Sequence, residues 1–200
     1  MKTPSPSKRQ AILDAARQAF LASGYNGTSM DAIAETAPVS KPTLYSHFGS
    51  KHELFVAVIA DQCKALFSTL SEAPLAHREP ARGLRAIADA YVDLLYAPDS
   101  LALYRLLIAE QQHFPELREQ VWATSAGPML QLLSRYLAEL HDRGALSVHQ
   151  PDSASQLLLG MLQGAAHFRC LIGLQQGLPA AERERLIEAA VTLFLEGHRP

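Results

Sequence analysis

An all-α fold of about nine helices is what this 200-residue chain predicts, and three features of the sequence predict it. Apolar residues recur at spacings of three and four, as in Ile12, Ala16, Ala19 and Phe20, and again in Ile187, Val191, Phe194 and Leu195. No alternating β-branched run flanks an Asn-Gly or Asp-Gly pair, so the hairpin signature is missing. Glycines and prolines at a set of positions between the periodic runs fix where the helices stop.

Taken in order, helix 1 is expected over 8–23, ending at Gly24, and helix 2 over 29–37 with Thr28 as N-cap and Asp31 three residues on. Helix 3 is expected over 41–47. Ser40 caps it, Pro42 sits in the first turn where no backbone N–H is needed, and Gly49 follows its end. Ser50 and Glu53 read as a capping box opening a long helix 4 that reaches Leu70. Pro74, Pro98, Pro115, Gly127-Pro128, Gly144 and Gly177-Leu178-Pro179 punctuate five more helices.

Composition narrows the function classes. An apolar fraction of 48% suits a packed globular core and argues against disorder. The start MKTPSPSKRQ has no apolar h-region, and no uncharged apolar run reaches about 18 residues, so a signal peptide and a membrane span are not expected and a cytoplasmic location is. Cys63 and Cys170 match no paired-ligand or redox spacing. The net charge of −2 is unevenly spread: up to residue 51 there are six basic side chains (Lys2, Lys8, Arg9, Arg17, Lys41, Lys51) against Asp14, Asp31 and Glu35, a net +3, leaving −5 for the remainder. That asymmetry points to an N-terminal module for a polyanion joined to an acidic partner domain.

Helices 2 and 3 are too short to stand alone and must be held by helices 1 and 4, the shape of a helix-turn-helix. Ile33, Ala34, Ala37, Leu44 and Phe48 are placed on its core side; Lys41, Thr43, Tyr45 and His47 project outward. A solvated bundle face is the plain alternative for such a surface. Against it stands the run Ser-Lys-Pro-Thr-Leu-Tyr-Ser-His-Phe, whose hydroxyls and aromatic ring reach phosphate and thymine methyl. Lys51 adds to this, because a cation in the first turn of helix 4 opposes the macrodipole unless an anion such as a DNA phosphate lies there.

Phe20, Gly24-Tyr25, Gly27-Thr28-Ser29-Met30, Ile33-Ala34, Val39 to Tyr45, His47-Phe48, Lys51 and Leu54-Phe55 resemble the N-terminal signature of the TetR family of bacterial one-component regulators. The resemblance implies a DNA-binding domain over 6–66 with helix 3 in the major groove, Thr28, Ser29, Tyr45, His47 and Lys51 at phosphates, and Lys41, Pro42 and Thr43, behind Ser40, nearest the bases. Pro38 departs from the pattern, which usually has a glycine in that turn. Since proline cannot take positive φ and disfavours a helical Ala37, either helix 2 ends early or the turn changes shape.

Residues 75–200 lack a Gly-rich phosphate loop, a His-Glu-x-x-His pair and a Gly-x-Ser-x-Gly elbow, so neither an enzyme, a cofactor nor a metal is expected. The runner-up function is a small-molecule-binding or enzymatic bundle without specific DNA binding. The stretch Leu103 to Glu110 with Phe114 to Leu117 resembles the AefR-type subgroup and implies a ligand-binding and dimerisation domain. Helices 8 and 9 are expected to form the homodimer, helix 8 through Leu157, Met161, Gly164, Ala165, Phe168 and Ile172 and helix 9 through Leu186, Ala190, Val191 and Phe194. Tyr104, His113, Phe114, Trp122, Gln163 and His167 are candidates for a mostly apolar effector pocket. The expected whole is a ligand-released repressor on a palindromic operator, with double-stranded DNA and a small apolar or aromatic effector as partners.

Overall fold

Eleven α-helices and a π-turn make up the described part of the chain, with no strand among them; the computed structural model describes residues 7–71, 79–112 and 115–200. His113 and Phe114 lie outside the described residues. The helices are α1 (Lys8–Gly27), α2 (Met30–Thr36), α3 (Lys41–His47), α4 (Lys51–Gln62), α5 (Lys64–Ser71), α6 (Pro80–Tyr96), α7 (Pro98–Glu110), α8 (Pro115–Val121), α9 (Gly127–Asp142), α10 (Pro151–Leu171) and α11 (Ala180–Gly197), with the π-turn at Trp122–Ala126. The helices expected as 8 and 9 are therefore α10 and α11.

Several expected boundaries are corrected, the first being α1, which runs to Gly27 across a non-helical Gly24 instead of ending at 23. The long helix 4 is two helices, α4 and α5, separated by a turn at Cys63, whose carbonyl accepts from Phe67 N–H at 3.0 Å. No glycine or proline lies near that turn, and nothing in the local sequence signals it. The N-cap of α2 is Ser29, whose hydroxyl accepts from Ala32 N–H, because Thr28 is buried and turns its own hydroxyl to Gly24 O at 2.7 Å.

The chain forms two compact units, one of the described residues up to Gln62 with Ala102–Thr124, the other of the described residues in Cys63–Leu101 and Ser125–Pro200. The first unit closes over Ile12, Ala16, Phe20, Ile33, Leu44, Leu54 and Leu117, all essentially excluded from solvent. At its centre Phe55 meets Phe20 edge-on at 4.9 Å and Tyr25 edge-on at 5.3 Å. Such pairs contribute about 0.5–1.5 kcal/mol each beyond the area they bury and brace α1 against α4; the seven-residue α2 and α3, too short to persist alone, join the same core through Ile33 and Leu44. The second unit packs α6 against α5, α10 and α11, and α9 against α10, around Leu84, Ile87, Leu133, Leu137, Leu158, Leu162 and Ile187. Along the α6–α11 seam Arg183 bridges Asp89 at 3.0 Å and Asp93 at 2.8 Å, while Arg85 joins Asp89 to Glu184.

Candidate nucleic-acid interface

The corner between α2 and α3 closes without any left-handed residue, which answers the question Pro38 raises. α2 stops at Thr36, one residue short of the expected end; Ala37 takes φ −82°, ψ 10°, and Val39 N–H returns to Ala34 O at 3.0 Å. No non-glycine residue among those described has positive φ, so the turn is built from ordinary backbone.

Ser40 then starts α3 by accepting from Thr43 N–H at 3.3 Å, and its hydroxyl shares a 2.8 Å bond with the Thr43 hydroxyl. Leu44 is buried beneath the helix and Phe48 closes its end, while Ser29, Ser40, Lys41, Pro42, Tyr45 and His47 are exposed and Thr43 is half-buried. The face is thus one of hydroxyls, one imidazole, one phenol and one ammonium. It is suited to donating hydrogen bonds to phosphates and base acceptors. Lys41 Nζ lies 2.7 Å from Asp31 of α2, and that carboxylate raises the ammonium's pKa. This pair is absent from the sequence expectation; its only trace there is an acidic residue in the first turn of α2.

Two of the residues expected at phosphates have partners within the protein. Thr28 is buried, as above. Lys51 is half-buried, with its ammonium donating to Tyr25 O at 2.9 Å and Thr28 O at 3.0 Å and lying 4.6 Å above the Tyr25 ring. The cation that opposes the start of α4 therefore neutralises the carbonyl-rich end of α1, where a positive charge is favoured. Tyr25 itself is buried, and burial first, then Glu110 and Glu116, raise its phenol pKa. The expected capping box is met in one half: Glu53 N–H binds Ser50 Oγ at 3.1 Å, while the Glu53 carboxylate accepts from Gly49 N–H at 3.2 Å, one residue before the N-cap.

Of the pocket candidates, Tyr104 and Trp122 stand exposed in the first unit. Gln163 and His167 meet in the second, joined at 3.1 Å between the amide nitrogen and ring Nδ1. Tyr96, which sequence reasoning missed, completes that group, donating its O–H to Gln163 O at 2.6 Å and meeting the His167 ring edge-on at 5.7 Å. Burial pushes the Tyr96 phenol up to about 12 and lowers His167 below its ordinary value. A groove of about 300 Å³ in the same unit runs between Pro80, Ala145, Leu146, Leu195 and Arg199, and no predicted pocket residue lines it. No set of His, Cys, Asp and Glu among the described residues could hold a metal, and no described helix is long and apolar enough to cross a membrane.

Two family models divide the chain: the N-terminal helix-turn-helix model of the bacterial tetR regulatory proteins matches residues 12–58, and the C-terminal domain model of the AefR-like transcriptional repressors matches 82–200. The chain belongs to the TetR family. The repressor AcnR of Corynebacterium efficiens is 29% identical over 76% of each chain, and the regulator UidR of Escherichia coli is 29% identical over 82% of each. The activator FasR of Mycolicibacterium smegmatis is 37% identical, but over only 47% of this chain and 43% of its own length. Among solved structures, the Flavonoid-responsive Regulator FrrA is 30% identical with a TM-score of 0.74 over 96% of this chain and 97% of its own. A TetR-family chain from Mesorhizobium loti reaches a TM-score of 0.81 at 29% identity over the whole of both. These relatives are transcriptional regulators and not enzymes, so a DNA-binding regulator is what the TetR-family chain is.

Proposed function

We propose that this TetR-family chain is a homodimeric repressor of a palindromic operator, released by a small apolar or aromatic effector. The observation that carries the reading is the α3 face, where Lys41, Pro42, Tyr45 and His47 stand exposed on a capped helix with Thr43 and Ser40 beside them. On this reading Lys41, Pro42 and Thr43 meet base edges, Ser29, Ser40, Tyr45 and His47 meet phosphates, and Thr28 and Lys51 hold the corner that presents them. Mobility shift with DNA flanking its own gene tests it. The expected result is retardation of an inverted repeat at nanomolar protein with no comparable affinity for scrambled duplex; equal affinity for both would overturn it.

The dimer is proposed to form through α10 and α11. Ala190, Val191 and Phe194, expected at that interface, belong to the core instead, whereas Leu157, Phe168 and Ile172 of α10 and Leu193 of α11 are exposed. Gly160 of α10 is open, and a Cβ built there would meet nothing within 4 Å, so a second helix could approach closely. Phe168→Glu with Leu157→Glu is expected to give a monomer by sedimentation and to abolish operator binding; a dimer that persists would place the interface elsewhere. For the effector, the name of the relative FrrA makes flavonoids and other aromatics the first class to screen for operator release. Release by metals or phosphorylated metabolites alone would overturn that part.

A further inference from the structure

The one ammonium on the proposed reading face is already paired. Lys41 and Asp31 are both more than half exposed, at 61% and 62%, so their 2.7 Å contact involves little burial and adds little to stability. Its consequence is electrostatic. A lysine facing a polyanion ordinarily binds any phosphate it meets, and each such contact adds non-specific affinity that falls steeply with salt. A carboxylate held against that ammonium cancels the attraction, and its own charge is repelled by the duplex. Neither Lys41 nor Asp31 has a second ion-pair partner among the described residues. By contrast Glu35, on the last turn of the same helix and also exposed, pairs with no cation among them.

We infer that Asp31 is a specificity-determining residue: it neutralises Lys41 toward arbitrary phosphates, so that the lysine adds affinity only where an operator presents a better acceptor than the carboxylate. The inference rests on the reading that α3 faces DNA. Its mark is a selective effect, since loss of the carboxylate frees Lys41 on every sequence but improves the operator complex, where Lys41 is engaged already, far less.

The test compares Asp31→Asn with the charge-matched Glu35→Gln and the charge-retaining Asp31→Glu. Each is measured on a duplex enriched by the protein from a randomised pool and on its scrambled counterpart, across a salt series. Asp31→Asn is expected to raise affinity for the scrambled duplex by roughly five- to tenfold per protomer near 0.1 M salt, and to steepen its salt slope by about one per protomer. Operator affinity should rise less than threefold, so the specificity ratio falls. Asp31→Glu should keep the wild-type ratio, and Glu35→Gln should move both duplexes together. Parallel shifts for Asp31→Asn and Glu35→Gln, an unchanged ratio in Asp31→Asn, or a loss of operator affinity would each overturn the inference. A wild-type protein that enriches no duplex would instead overturn the reading of α3 beneath it.

Discussion

Two helices in the two units, α1 and α10, are interrupted by a glycine in almost the same backbone conformation, φ 71°, ψ 176° at Gly24 and φ 53°, ψ −176° at Gly164. Both lie in a region of φ/ψ space that side-chain-bearing residues essentially never occupy. The surroundings differ. At Gly24 the freed carbonyls are met by a charge: Lys51 reaches over from α4 to Tyr25 O and Thr28 O, and Thr28 donates back to Gly24 O. At Gly164 the carbonyl of Gln163 accepts a neutral bond from the Tyr96 phenol on α6. The first break redirects the chain after one further turn into the corner that carries α2, while the second leaves helix running on both sides. A shared strained conformation thus serves as a terminator where an ammonium anchors it and as a kink where a hydroxyl does.

The sharpest way to break that comparison is to remove the charged anchor. Lys51→Met is expected to lower stability by about 2 kcal/mol, since it deletes two hydrogen bonds to an ammonium and one cation–π contact while keeping the aliphatic stem. Denaturant melts read this directly. A cost under about 0.5 kcal/mol would show that the α1 terminus holds itself without the lysine.

The glycines come next. Alanine at either position must adopt positive φ, and a Cβ would meet only Leu106 Cδ2 at 4.0 Å near Gly24 or Leu186 Cδ1 at 3.8 Å near Gly164, both ordinary contacts. The cost is therefore conformational and similar at the two sites, about 1–2 kcal/mol each. A Gly164→Ala protein as stable as the wild type would mean that α10 straightens readily, and the kink would lose its standing as a fixed feature. Smaller again is Tyr96→Phe, expected to cost about 1 kcal/mol for one neutral hydrogen bond, or half the Lys51 effect.

The contrast also explains what the sequence made legible. Gly24 is readable because periodicity stops there and capping residues follow at once, and the α2–α3 pair is readable because both its caps lie within a few residues. Gly164 sits inside an unbroken apolar period, so it reads as a place of close approach rather than a break. The electrostatic anomaly at Lys51 was visible, yet its resolution was not: the acceptors are carbonyls 23 and 26 residues upstream, and only tertiary structure brings them near. Asp31 and Lys41, and Tyr96 and Gln163, are likewise pairings between helices. The split at Cys63 has no local signal at all.

The last expected effect depends on pH and concerns the ring beside Gly164, and its sign follows from burial. His167 is 2% exposed and its Nδ1 accepts from the Gln163 amide, which requires that nitrogen to be unprotonated. Burial lowers its pKa in the folded protein below the value near 6.5 that it regains on unfolding. Above that value both states are neutral there and stability does not change with pH through this group. Below it the unfolded chain binds a proton that the folded one refuses, so stability falls with falling pH, by at most about 1.4 kcal/mol per unit. Urea midpoints at about pH 7.5 and about pH 5.5 measure the loss, and His167→Gln isolates it from the other histidines. The wild type should lose more stability across that interval than the variant, by under 1.4 kcal/mol. Equal losses would mean that His167 takes up its proton in the folded state, and with it that the Tyr96–Gln163–His167 group opens to water.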